Sequence, residues 1–120
     1  MLTEIGKFLR KLRIDHNEIL LNMAEKLGVT VSFLSAVETG KKKIPAGWYQ
    51  RICSMYELTE TQADAFAQAI ADTEKSYVMD FQGVPTSNRV LGVSFARRFS
   101  ELSDEQIAAI LNILNKGDNQ

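Results

Sequence analysis

Residues 24–40, Ala24-Glu-Lys-Leu-Gly-Val-Thr-Val-Ser-Phe-Leu-Ser-Ala-Val-Glu-Thr-Gly40, decide the fold, because they have the pattern of two short helices joined by a tight turn. Gly28 tolerates the backbone conformation that ends the first helix. Thr30 is a natural N-cap for the second helix. Leu34 and Val37 fall on one side of that helix and are predicted to be buried, which leaves its other side facing solvent. The segment therefore predicts a helix-turn-helix motif.

Apolar residues recur at helical spacing along most of the chain. The pattern predicts helices from Thr3 to about Ile14, from Leu20 to Leu27 and from about Val31 to Glu38, then one opened by Pro45 that carries Trp48, Ile52 and Met55 or Tyr56 inward. Capping boxes at 59–62 and 103–106 predict two later helix starts. We therefore expect a mainly all-α protein. A helix-turn-helix bundle of about five helices occupies residues 1–58, and a C-terminal extension, residues 59–120, carries one short strand and two helices.

The strand is predicted at residues 76–82, where Tyr77, Met79 and Phe81 alternate with Val78 and Asp80. A lone strand leaves its backbone donors and acceptors unpaired. The simplest partner is the same strand of a second copy, paired antiparallel across a two-fold axis. The alternative is that these residues form an extended loop packed on the bundle.

The net charge of −1 is divided unevenly between the two halves of the chain. Residues 1–56 carry nine basic and five acidic side chains, a balance of +4, whereas residues 57–120 carry five and ten, a balance of −5. Such asymmetry favours the N-terminal half as a phosphate-facing surface. The alternative is ordinary variation between solvated helix faces.

Composition also bears on other classes of function. No run approaches the ~18 consecutive apolar residues of a membrane span, and the N-terminus lacks a basic region followed by an apolar one. The single cysteine, Cys53, cannot form an internal disulfide, which fits a cytoplasmic protein. His16 is the only histidine and cannot build a zinc site alone. We therefore expect no enzymatic activity, no cofactor, no metal and no membrane association.

Residues 12–41 closely resemble the helix-turn-helix of the phage lambda repressor and Cro-like (XRE) family. The likeness covers about residues 3–58 and rests on Ala24, Leu27-Gly28-Val29, Leu34-Ser35, Glu38 and Gly40. It implies a sequence-specific, double-stranded DNA-binding transcriptional regulator, in particular a homodimeric repressor that reads two half-sites. An alternative is the antitoxin of a type II toxin–antitoxin pair, whose C-terminal half binds a toxin protein. A third is an interaction module that has lost DNA binding.

The resemblance also implies which residues contact DNA. The start of the second motif helix would reach bases, and the loop after it would meet the sugar–phosphate backbone. The candidates are Thr30, Val31, Ser32, Ser35 and Ala36 on the helix, Lys41, Lys42 and Lys43 in the loop, and Arg10 as a further phosphate contact. Arg13 and Glu38 match the positions of a structural ion pair, and contact of Arg13 with DNA is the alternative.

Because of two departures from the family's pattern, we expect few direct contacts between side chains and bases. Leu20 stands where phage repressors often place a phosphate-contacting Gln, and Val31 and Ala36 replace longer polar residues. Phe33 has two interpretations, a contact with a thymine methyl or sugar, or burial beside the next helix. The apolar residues of the C-terminal half need cover, either from the N-terminal bundle or from a second subunit. We expect the second subunit, with an interface formed by Tyr77, Met79, Phe81, Leu91, Phe95, Ile107, Ile110, Leu111 and Leu114.

Overall fold

A computed structural model describes residues 1–116 as a mainly helical chain. The helices are α1 (Glu4–Asp15), α2 (Leu20–Leu27), α3 (Val31–Glu38), α4 (Trp48–Met55), α5 (Glu60–Thr73), α6 (Thr86–Arg98) and α7 (Asp104–Lys116), with a 3-10 turn at Phe99–Glu101. No β-strand occurs in these residues. The predicted helical class is confirmed, and the strand predicted at 76–82 is not found.

The chain divides into two compact units, Met1–Val78 and a second unit that begins at Met79. The first unit extends beyond the boundary expected after residue 58, because α5 packs against α1. The ring of Phe66 in α5 stacks on that of Phe8 in α1, with 4.7 Å between their centroids. Phe66 is fully buried, so α5 supplies part of the core that the first unit needs.

The core of the first unit is built around α1, which contacts α2, α3 and α5. Its largest fully buried side chains come from five helices and are Ile5, Leu9, Met23, Leu34, Val37, Ile52 and Phe66. Burial of each such side chain contributes roughly 1.5–3 kcal/mol to the free energy of unfolding. This core fixes the positions of α2 and α3.

Helices α2 and α3 are joined by three residues that turn the chain through 102°. Gly28 ends α2 in the left-handed conformation, with φ +72°, and the N–H of Val29 donates to the carbonyl of Ala24 at 3.0 Å. The hydroxyl of Thr30 then accepts from the N–H of Phe33 at 3.0 Å and caps α3. The predicted ends of both helices and the Thr30 cap are confirmed.

Helix α4 begins at Trp48, three positions after Pro45, which was predicted to open it. The carbonyl of Pro45 instead accepts from the N–H of Trp48 in a preceding turn, and Gly47 takes a φ of +87° at the N-cap. Trp48, Ile52 and Tyr56 lie in the core, whereas Met55 is only partly buried. Tyr56 is therefore the inward residue of the two alternatives.

The second unit contains α6 and α7, and none of its described residues, 79–116, is buried. The predicted capping box is present at α7, where the hydroxyl of Ser103 accepts from the N–H of Gln106 at 3.2 Å. Before α6, the ring of Phe81 lies directly over Gly92, whose missing side chain leaves room for it.

Residues 76–82 form a connection rather than the predicted strand. Ser76, Tyr77 and Val78 line a cleft of the first unit together with residues 43–46, while Met79 and Phe81 lie near Gly92 in the second unit. The first half of this stretch therefore belongs to the first unit and the second half to the second unit. The stretch ends in a turn where the N–H of Val84 donates to the carbonyl of Phe81 at 3.1 Å.

Among residues 1–116, no single helix is long and apolar enough to cross a membrane. Helices α2 and α3 reach that length and apolar content only as a pair, with their axes bent by 102°.

Candidate nucleic-acid interface

The rotation of α3 about its axis is fixed by its buried side. Leu34 and Val37 are almost completely enclosed, at 0% and 1% exposed. The opposite side begins with Val31 and Ser32, which are both exposed. The helix therefore presents two of the five residues predicted to reach bases to solvent, while its core side holds it against α1 and α2.

A buried ion pair holds the C-terminal end of α3 against α1. The guanidinium of Arg13 donates two hydrogen bonds to the carboxylate of Glu38, one of them 3.1 Å long, and both side chains are more than nine-tenths buried. The Arg13 guanidinium also lies 3.4 Å from the sulfur of Met23 in α2. The predicted ion pair between Arg13 and Glu38 is confirmed.

The other three residues predicted to reach bases from α3 differ in their exposure to solvent. Thr30 is exposed, but its hydroxyl oxygen is already engaged as the cap of α3. Ser35 and Ala36 are half-buried one turn further along. Val31 and Ser32 are therefore the most accessible of the five predicted base-contacting residues.

Phe33 lies beside α4, at the edge of the α3 surface. Its ring makes an edge-on contact with Trp48, with 6.0 Å between centroids, and it remains partly exposed. The ammonium of Lys42 lies over the same ring, 5.9 Å from its centroid. Burial beside the next helix, one of the two interpretations of Phe33, agrees with this packing.

The basic loop, residues 41–46, begins where α3 ends. Gly40 adopts a φ of +81° and its N–H donates to the carbonyl of Val37 at 3.2 Å, while the N–H of Lys41 donates to the carbonyl of Ala36 at 2.8 Å. This arrangement is a Schellman end, which satisfies the last carbonyls of a helix. The side chains of all three lysines, Lys41, Lys42 and Lys43, are exposed.

The basic loop is also tied to the residues that follow α5. The N–H of Ile44 donates to the carboxylate of Glu74 at 3.0 Å, and the ammonium of Lys43 donates to the hydroxyl of Ser76 at 2.6 Å. A cleft of about 210 Å³ lies between the loop and residues 74–78. Sequence reasoning missed these contacts, because residues some 30 positions apart share no periodic pattern.

Arg10 lies on the flank of α1 that faces α3. It is one turn from both Gly6 and Arg13, which contact Glu38. A Cβ atom on Gly6 would lie 2.2 Å from the carbonyl oxygen of Glu38, so α1 and α3 approach here as closely as their backbones allow. Arg10 itself is exposed.

The first unit has no net charge, but part of its surface is basic. Residues 1–78 carry ten basic and ten acidic side chains. Within the described part of the chain, no ion pair involves Arg10 or any lysine of the basic loop, whereas Lys7 and Lys26 are paired with Glu4 and Glu18. Five of the seven basic side chains of the first unit that form no ion pair therefore lie on α1 and the basic loop; the other two are Arg51 and Lys75.

A second polar network joins the α1–α2 turn to the end of α4. Tyr56 donates to the carboxylate of Glu18 at 2.6 Å, and Lys26 donates to the other oxygen of that carboxylate. Burial raises the pKa of Glu18, but the hydrogen bonds from Lys26 and Tyr56 outweigh it and hold that pKa below its ordinary value. Burial and the bond to Glu18 raise the pKa of Tyr56.

The predicted dimerisation residues are divided between the two units. Tyr77 is exposed and lines the cleft of the first unit, whereas the others belong to the second unit. Met79, Leu91, Ile107, Leu111 and Leu114 are exposed, and Phe81, Phe95 and Ile110 are partly buried. On α7, the four predicted residues share one side of the helix.

Residues 1–116 contain no group of three or more His, Cys, Asp or Glu side chains placed to hold a metal ion. His16 is exposed at the end of α1, where its Nδ1 lies 3.0 Å from the carbonyl oxygen of Leu12.

No family model, curated protein or solved structure matches this chain. The resemblance to the lambda repressor and Cro-like family stays a prediction from the motif.

Proposed function

We propose that this chain is a sequence-specific, double-stranded DNA-binding transcriptional regulator of the lambda repressor and Cro-like kind, and that it acts as a repressor in the cytoplasm. Helix α3 enters the major groove with Val31 and Ser32 towards the base edges. The basic loop and Arg10 contact the phosphates on either side.

The observation that supports this proposal most strongly is the arrangement of α2 and α3. Two short helices at 102°, joined by three residues that include a left-handed glycine, support this proposal because helix-turn-helix motifs combine an angle of about 90–120° with a short turn that often contains glycine. The core side of α3 is closed by Leu34, Val37 and the Arg13–Glu38 pair, so only its outer side is available to a ligand.

The chemistry of that outer side favours limited base reading. Val31 suits the methyl group of thymine, and the hydroxyl of Ser32 suits either a donor or an acceptor on a base edge. Neither makes the two-bond contacts that Arg or Gln would make. Affinity then depends chiefly on phosphate contacts and on the shape of the DNA.

The second unit supports the proposal that two copies bind together. Its described residues bury no side chain, and exposed apolar residues such as Leu91, Leu111 and Leu114 are available to a partner. Two motifs related by a two-fold axis would read half-sites about 34 Å apart. We therefore propose a homodimer held through this unit.

Selection of duplexes from a random DNA pool tests the DNA-binding proposal. Fluorescence anisotropy should then show that the selected duplex is bound at least ~10³-fold more tightly than a scrambled one at the same salt concentration. Equal affinity for both duplexes, or no enrichment during selection, would contradict it.

Analytical ultracentrifugation of the full chain tests the dimer. A monomer that forms a one-to-one complex with a toxin-like protein would support the antitoxin alternative instead.

A further inference from the structure

Residues 74–78 hold the basic loop at its far end, opposite its attachment to α3. The loop starts at the Schellman end of α3, where the backbone of Lys41 and Lys42 is already fixed. Its other end is fixed by Glu74, whose carboxylate accepts the N–H of Ile44 at 3.0 Å. Ile44 is 8% exposed, so its N–H lies at the edge of the core, where an unpaired donor is costly.

Glu74 also brings a negative charge to the basic loop. Its carboxylate bonds to the backbone of the residue that follows Lys43, yet it forms no ion pair in the described part of the chain. Ser76, two positions later, accepts from the Lys43 ammonium at 2.6 Å. One segment therefore supplies a backbone anchor, a side-chain anchor and an opposing charge.

We infer that Glu74 is a positioning residue for phosphate binding by the basic loop, and that it has two separable effects on DNA recognition. Its hydrogen bond to Ile44 holds the loop in the geometry that fits a cognate site. Its charge weakens the attraction of the loop for any phosphate backbone, and so lowers binding to unrelated DNA. This inference rests on the proposed DNA-binding function and adds a residue outside the motif.

Two substitutions at the same position separate these effects. Glu74→Gln removes the charge but keeps an oxygen that can accept from Ile44, whereas Glu74→Ala removes both. Asp72→Asn, on α5 just before Glu74, is the matched control, since Asp72 bonds to Gln68 and not to the loop. All three variants remove one negative charge from the same end of α5.

For Glu74→Gln we expect binding to both selected and scrambled duplexes to tighten by about two- to fivefold at low salt, with the gain fading as salt rises. For Glu74→Ala we expect the same two- to fivefold gain on scrambled DNA but a loss of about two- to fivefold on the selected duplex. The ratio of selected to scrambled affinity should fall by about tenfold relative to Glu74→Gln, because the loop is no longer anchored. Asp72→Asn should leave that ratio unchanged.

Hydrogen exchange of the Ile44 amide supplies a readout that needs no DNA. The amide should be protected in the wild type and in Glu74→Gln, and should exchange faster in Glu74→Ala. Equal protection in all three proteins, or an unchanged affinity ratio in Glu74→Ala, would overturn the inference. Failure of the wild type to distinguish any duplex would instead overturn the proposed function, while the exchange result would still decide whether Glu74 holds the loop.

Discussion

The guanidinium of Arg13 and the carboxylate of Glu38, 25 positions apart in the chain, form a buried ion pair that joins α1 to the end of α3. Because both side chains are more than nine-tenths buried, each charge depends mainly on the other to replace the water it has lost. The pair therefore fixes the end of α3 from which the basic loop departs.

Removal of one member of this pair should be much more destabilising than removal of both. Arg13→Met leaves Glu38 buried and unpaired, and we expect a loss of about 3–5 kcal/mol in the free energy of unfolding. The double variant Arg13→Met/Glu38→Leu should recover most of that loss, as measured by urea denaturation. Additive losses in the double variant would contradict a coupled pair.

The basic loop should control affinity for DNA of any sequence. Replacement of Lys41, Lys42 and Lys43 by Ala should flatten the dependence of log affinity on log salt by about 2–3 units. A gel-shift series over several salt concentrations measures this slope. Replacement of Lys7, Lys11 and Lys75 removes the same number of charges elsewhere in the first unit, and an equal change in slope there would argue against a specific role for the loop.

Val31 and Ser32 should control preference between sites rather than overall affinity. Replacement of either residue by Ala should weaken binding to the selected duplex by roughly 1–3 kcal/mol for each base that the side chain reads. Binding to scrambled DNA should stay the same. Competition between selected and scrambled duplexes measures the difference, and equal losses on both would place the base-reading surface elsewhere.

The two sides of α3 should respond differently in stability measurements. Leu34→Ala should lower the free energy of unfolding by about 2–5 kcal/mol, because it opens a cavity in the core. Ser32→Ala on the exposed side should change it by less than about 0.5 kcal/mol. Thermal melts rank the two variants, and the reverse order would show that the helix is rotated from the orientation described above.

The Glu18 network should make stability depend on acid pH. Since its pKa is lowered in the folded state, Glu18 contributes stability above its unfolded pKa of about 4.3, and that contribution disappears as pH falls through the folded value. Wild type should therefore be more stable than Glu18→Gln near pH 6, and the gap should close below about pH 4. Denaturation at several pH values measures the gap, with Glu25→Gln on α2 as the control. A gap that widens in acid would contradict the lowered pKa.

Local signals in the sequence predicted the parts of the fold that local chemistry determines. Gly28 and Thr30 each specify a backbone conformation, so the last residue of α2 and the first residue of α3 could be predicted from them. Pro45 was misleading, because a proline suits a turn as well as a first helical position, and here it lies in a turn. The strand at 76–82 was predicted from alternation alone, which says nothing about a pairing partner.

The contacts that shape the candidate site could not be predicted from local sequence patterns, because they join distant parts of the chain. The bond between Ile44 and Glu74 spans 30 positions, and the Tyr56–Glu18 bond spans 38. Hydrophobic periodicity reports which side of a helix is buried, but not which polar groups meet across helices. The Arg13–Glu38 pair was predicted only because the motif resembles a known family.

Position 6 should have almost no mutational tolerance. Glycine disfavours a helix interior by about 1 kcal/mol relative to alanine, so alanine would ordinarily be the better residue there. Here any side chain would collide with the carbonyl of Glu38. In a library that encodes all amino acids at this codon, selection for folded protein should return glycine and deplete every substitution, including those that improve helices elsewhere.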